Sequence, residues 1–212
     1  WIMSKLERLN QKAAEALSKG DLVEASKLCQ EILNQQPNSY YAHAILGLSA
    51  MQQGHFETSL KELNLAEAFA ETASAKFEIQ LNKLDVLRAL EQWRDVETII
   101  DSLLPEYPFN TSLLYLKGLS LEEKRQGKKA LEYYKQVIAF PGTRTQQSQW
   151  IKASSMFSVV TSPFLEPMKT DIDLARELRG SALTRQVEAI CYFIEGHAFE
   201  RMKNFHNARK AF

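Results

Sequence analysis

Four residues stand at one point of a recurring pattern: Ala25, Ser59, Val96 and Ala130, at steps of 34, 37 and 34 residues. A period of about 34 residues is that of a helix–turn–helix repeat. The surroundings recur with it. Gly20-Asp21-Leu22-Val23-Glu24-Ala25 returns as Gly54-His55-Phe56-Glu57-Thr58-Ser59, then as Gln92-Trp93-Arg94-Asp95-Val96 and as Gly127-Lys128-Lys129-Ala130. Twelve positions upstream of each marker stand Ala13, Gly47, Leu84 and Gly118, and Pro37, Pro108 and Pro141 close most units. Short side chains let two helices approach closely. A glycine turn reverses the chain between them, and proline stops a helix.

This constellation resembles the tetratricopeptide repeat (TPR) family. The family's small positions are matched at Gly47, Gly118 and Gly196 and at Ala25, Ala130 and Ala208, and its proline position at Pro37 and Pro108. Leu84, Val96 and Glu71 depart from it, which makes the third unit, about residues 77–110, the weakest match. The resemblance implies an all-α fold, a right-handed superhelical solenoid of antiparallel helix pairs, five to six in number. None of these pairs buries its apolar face alone, so stacking on its neighbours makes the core.

The rhythm divides the chain. Residues 1–144 read as four TPR-like helix pairs. Residues 145–185 read as an irregular fifth unit or an insertion, because Thr161-Ser162-Pro163 and Glu166-Pro167 break the chain where a short turn belongs. Residues 186–212 read as a final, truncated TPR-like unit, with a turn expected near His206. Its end, with Phe205, Ala208 and Phe212, is expected to be uncovered, so that a homodimer through this C-terminal end is a candidate assembly.

Composition narrows the function classes. Of 212 residues 45% are hydrophobic and 25% charged, an ordinary globular balance. Lys plus Arg and Asp plus Glu number 26 each, without the basic excess of a nucleic-acid reader. No run of 18 apolar residues exists, so no membrane insertion is expected. Cys29 and Cys191 read as two lone small residues in helix packing. A cytoplasmic location is the expectation.

Catalytic signatures are missing: no Gly-rich phosphate loop, no His-Glu-x-x-His, no Cys-x-x-Cys and no Gly-x-Ser-x-Gly. Of His43, His55, His197 and His206, the turn residues His55 and His206 have no second ligand at i+4, and Asp171 and Asp173 suit the positive end of a helix. The expectation is a non-catalytic chain with no cofactor, no metal and no catalytic residue. The resemblance implies where a partner protein or peptide would sit, on the groove face of each first helix. Tyr41, Ala44, Leu48 and Met51 hold those positions in the second unit, Leu81 in the third, Tyr115 and Leu119 in the fourth and Phe193 in the last. Glu78, Asp85 and Arg88 share that face in the third unit. The run from Tyr41 to Met51 is apolar throughout, so it is either a ligand groove or a surface that the segment 159–185 covers. The carboxylate clamp of chaperone-binding TPR domains has no counterpart among Asn10, Ala14, Ala44 and Ile45, and of an asparagine ladder only Asn82 is present. The expected function is therefore a protein–protein interaction scaffold that holds a peptide or helix in a concave groove. The alternatives are an N-terminal module of a larger enzyme, glycosyl- or sulfotransferase-like, with its catalytic domain beyond residue 212, and a self-assembling structural array.

Overall fold

The computed structural model describes residues 4–141, 145–165 and 168–210, with 204–210 as backbone alone. The described residues form helices and turns, with no strand among them. The chain divides into two units, one up to Ile99 and one from Ile100.

The first unit holds α1 (Lys5–Ser18), α2 (Leu22–Gln35), α3 (Tyr40–Gln52), α4 (Phe56–Phe69) and α5 (Ala73–Ala89), and the unit boundary falls inside α6 (Trp93–Leu103). The first helix of each pair opens on a capping side chain. Ser4 accepts from the Glu7 amide, Ser39 from Ala42 and Thr72 from Ala75, each meeting a backbone donor that the first turn leaves unpaired. Ala13, Ala25, Leu28, Cys29 and Ile32 join α1 to α2 and, with Ala42 and Ile45, to α3. At Gly47 an added Cβ would lie 2.8 Å from Leu63 Cγ, and the Ser59 hydroxyl donates to the Gly47 carbonyl at 2.7 Å. The two repeat markers of the second unit of the pattern therefore touch each other across α3 and α4.

The second unit holds α7 (Thr111–Glu123), α8 (Gly127–Ala139), α9 (Gln146–Thr161), α10 (Lys169–Gly180) and α11 (Arg185–Lys210). Gly118 is a crossing point, as its place in the pattern predicts: a Cβ there would overlap the ring of fully buried Tyr134. Within 159–185 the described residues form the end of α9, α10 and the turn that leads into α11. Ile172, Ala175 and Leu178 of α10 pack with Met156 and Val160 of α9 and Cys191 and Ile194 of α11. Asp171 accepts from the Met168 amide at 2.7 Å, the helix-start role expected of it. The break after Thr161 is tied down: Arg201 donates to the carbonyls of Val160, Ser162 and Leu165, placing a cation on the carbonyl end of α9. Glu166-Pro167 lies outside the described residues.

Two expectations need correction. Each pair in the four-fold pattern is joined by the same turn, in which one residue takes a left-handed conformation and the next amide bonds back to the carbonyl five residues earlier. The left-handed residues are Gly20, Gly54, Glu91 and Arg125, with φ of 76°, 77°, 57° and 57°. The bonds are Asp21 to Ala16, His55 to Ala50, Gln92 to Leu87 and Gln126 to Leu121, at 2.8–2.9 Å. Gly127 is therefore not the turn glycine of its unit; it is the first residue of α8, and Phe164 lies beside it. The last unit also differs from its pattern. Helix α11 runs unbroken through the position of the expected turn at His206, and Gly196 is exposed with no neighbour among the described residues that a Cβ would meet. The buried residues of α11, Val187, Cys191, Ile194 and Ala198, lie on another face. The Phe205–Phe212 end concerns side chains outside the described residues.

Candidate binding cleft

Helices α1, α3 and α5 open a cleft of about 470 Å³ in the first unit. Helix α3 forms its floor with Tyr40, Tyr41, Ala44, Ile45, Leu48 and Gln52. These positions recur every three or four residues and so share one face. Ala14, Leu17 and Ser18 of α1 form one wall, and Ala75, Glu78, Ile79 and Asn82 of α5 the other. The alanines at 14, 44 and 75 keep the cleft open, since longer side chains there would fill it. Partial burial, next to Tyr40 and Cys29, pushes the Tyr41 hydroxyl above the ordinary tyrosine range.

Of the expected contact residues of the first unit, three line this cleft: Tyr41, Ala44 and Leu48. Met51 is half-buried and packs beside Leu63, Ala66 and Val86 on the α4 side. Leu81 is half-buried and outside the lining. The reason is the length of α5. It has 17 residues against 13 in α3 and α7, so the longer step of the third unit is taken up within this helix. The groove face of α5 at the cleft then lies at Ala75, Glu78 and Asn82, a 34-residue step from Tyr41, Ala44 and Leu48, whereas the marker step of 37 selects Leu81. Adjacent helix positions differ by about 100° in direction, which separates residue 81 from residue 82. The α1 wall was not singled out from sequence, although Ala14 and Leu17 hold the same repeat positions as Leu48 and Met51.

In the second unit the first helices carry rings. Tyr115 of α7 packs against Tyr134, with centroids 6.0 Å apart, and edge-on against Trp150 of α9 at 5.7 Å. Phe157 of α9 meets Phe193 of α11 at 5.2 Å, and His197 stacks on Phe193 at 5.6 Å. Trp150, Phe157 and Phe193 are 37%, 39% and 51% exposed, so this is an aromatic surface and not a buried core. Leu119 is half-buried on α7. Behind the rings, α10 and α11 are held by a polar clamp: Arg176 Nε donates to Glu195 at 3.0 Å and Arg179 to its other oxygen. The same guanidinium groups lie over the Phe199 and Tyr192 rings, at 5.6 and 4.3 Å.

Among the described residues no group of three or more His, Cys, Asp and Glu could hold a metal ion, and no helix is long and apolar enough to cross a membrane. His43 is buried against Glu62, Nδ1 to Oε2 2.8 Å, as a link between α3 and α4. Burial pushes the Cys29 thiol up to about 12 and the Cys191 thiol to about 11, with Glu62 and Glu195 adding to the respective shifts, which suits inert packing residues.

The fold and its repeated turns define a class, an α-helical array of paired helices. No family model and no curated protein matches the chain. Solved structures do resemble it. A MamA RS-1 ArsTM double mutant superposes with a TM-score of 0.66 at 15% identity, over 85% of this chain and 98% of that one. A tetratricopeptide repeat protein from Parabacteroides merdae ATCC 43184 does so with 0.58 at 17%, over 97% and 79%. MamA 41-end from Desulfovibrio magneticus RS-1 gives 0.53 at 14%, over 97% and 98%. At such identities the likeness is one of fold, and in fold the chain is a TPR-like repeat protein.

Proposed function

We propose that the chain is a non-catalytic protein-interaction scaffold that seats a peptide or helix of a partner protein in the α1–α3–α5 cleft. The observation that carries this reading is the cleft floor: Tyr41, Ala44 and Leu48 face open space on a helix that buries its opposite side against α4. Apolar side chains kept at a surface concavity gain most when a partner covers them. The partner is a protein or peptide and not a nucleic acid, since neither composition nor cleft supplies the cations that phosphates require. In the same reading Tyr115, Leu119 and Phe193 belong to a second contact surface, and the residues 145–185 remain an irregular fifth unit or an insertion between four pairs and a final unit.

The test uses peptides selected from a displayed random library against the whole chain. Tyr41→Ala combined with Leu48→Gln should abolish their binding while helical circular dichroism is unchanged; Phe193→Ala should leave cleft-selected peptides bound. Peptides that bind the double variant as tightly as the parent would place the binding surface elsewhere.

A further inference from the structure

The cleft is apolar on its α1 and α3 sides and acidic on its α5 side. Glu78 is the one charged residue in its lining. It is exposed and makes no ion pair or hydrogen bond among the described residues. Asp85 stands two turns further along the same face of α5 and has Arg88 at 3.6 Å. On the α4 side of α5, Lys83 is held by Glu67 at 2.5 Å. Helix α3 carries no lysine, arginine or carboxylate between Tyr40 and Gln52. The charge that the lining itself presents is therefore negative, with Lys76 of α5 outside it.

We infer that the cleft takes an amphipathic segment of a partner protein whose apolar side chains lie on Tyr41, Ala44 and Leu48 and whose lysine or arginine reaches Glu78. The inference rests on the cleft being the binding surface. A neutral ligand laid over Glu78 would strip its water and return nothing. An acidic ligand would add repulsion. A cation replaces the lost hydration with an ion pair, and a guanidinium does so through two hydrogen bonds.

The probes are two synthetic amphipathic peptides with identical apolar residues, one with lysine and one with glutamate at every polar position. Both are titrated against the whole chain by fluorescence anisotropy. The lysine peptide should bind about tenfold more tightly at low ionic strength, and the margin should shrink as salt is raised. Glu78→Gln should remove most of the margin, and Glu78→Lys should reverse it. Leu48→Gln, which changes no charge, should weaken both peptides. Equal affinity of the two peptides, with both lost in Leu48→Gln, would overturn the charge inference and leave the cleft standing. A lysine preference that survives Glu78→Lys would also overturn it. Binding of neither peptide, or binding indifferent to Leu48→Gln, would overturn the cleft itself.

Discussion

The first helices of the two units occupy the same repeat positions and present unlike surfaces. In the first unit, α1, α3 and α5 carry alanines, leucines and two tyrosines around an open cleft. In the second, α7, α9 and α11 carry Tyr115, Trp150, Phe157 and Phe193, which pair with one another and close the space between helices. Side-chain length explains the difference. Alanine at a facing position leaves a hollow, whereas rings from adjacent helices meet, edge-on for Tyr115 and Trp150 and tilted for Phe157 and Phe193, and spend part of their apolar surface on each other. The repeat thus sets where a surface lies, and the residues placed on it decide whether that surface is hollow or filled.

The helix crossings beneath these surfaces give the largest expected effect. Gly118→Leu must displace the Tyr134 ring, and should cost about 1–3 kcal/mol or more in a thermal melt. Gly196→Leu, at the matching position of the last unit, should be neutral or stabilising, because the structure shows nothing for it to strike and leucine favours a helix over glycine by several tenths of a kcal/mol. Equal losses at the two positions would show that α11 crosses a helix at Gly196 after all.

The aromatic surface should respond next. Phe193→Ala removes the ring contacts to Phe157 and His197. The residue is half exposed, so the cost should be about 0.5–1.5 kcal/mol in denaturant unfolding. Ala44→Phe in the first unit is the converse: it should fill the cleft, block peptide binding and leave stability nearly unchanged. If Ala44→Phe instead unfolds the chain, the hollow is smaller than its walls suggest.

The turns test the repeat itself. Arg125→Gly should raise stability by up to about 1 kcal/mol, since glycine accepts a positive φ without a Cβ penalty, and Gly54→Ala should lower it by about the same amount. Denaturant midpoints of the two variants should move in opposite directions; movement in one direction would mean that the turns are not equivalent.

Smallest of all is a pair of matched hydroxyls. Ser49 of α3 and Ser120 of α7 each stand two residues after a close-packing glycine, and both hydroxyls are buried without a hydrogen-bond partner among the described residues. Ser49→Ala and Ser120→Ala should each be neutral or stabilising by less than about 1 kcal/mol, because each removes an unpaired polar atom. A clear loss would reveal a bond that these hydroxyls make in solution. On the alkaline side, Cys29 favours its neutral thiol in the folded chain. Its contribution is complete below the ordinary thiol value of 9.0 and is lost as pH rises toward about 12. Cys29→Ala should flatten that part of the stability–pH curve.

Much of the fold is legible in the sequence because its signals are local. Small residues twelve apart predicted that Gly47 and Gly118 would lie against a second helix, and Leu63 and Tyr134 are the side chains that hold them there. The turns were only half legible. Glycine marks a left-handed residue, but Glu91 and Arg125 take that conformation without announcing it, and Gly127 stood close enough to mislead. The cleft shows the same division. Its floor follows from helical periodicity in α3, while its α5 wall depended on where three extra residues would be placed. A step of 37 does not say whether they lengthen a helix or a loop, and the choice turns every later side chain of that segment by about 100° per residue.

By itself, then, the sequence determined the class of fold, the close helix crossings at Gly47 and Gly118 and the face of α3 that is apolar, since these depend on residue type and spacing along one segment. Only the tertiary structure decided that α1 and α5 stand far enough apart across α3 to leave a cleft, that Glu78 and not Leu81 lines it, that the rings of α7, α9 and α11 meet, and that Gly196 crosses nothing. Those outcomes depend on side chains from helices distant in sequence competing for the same space, and no period read along one chain contains the distances between them.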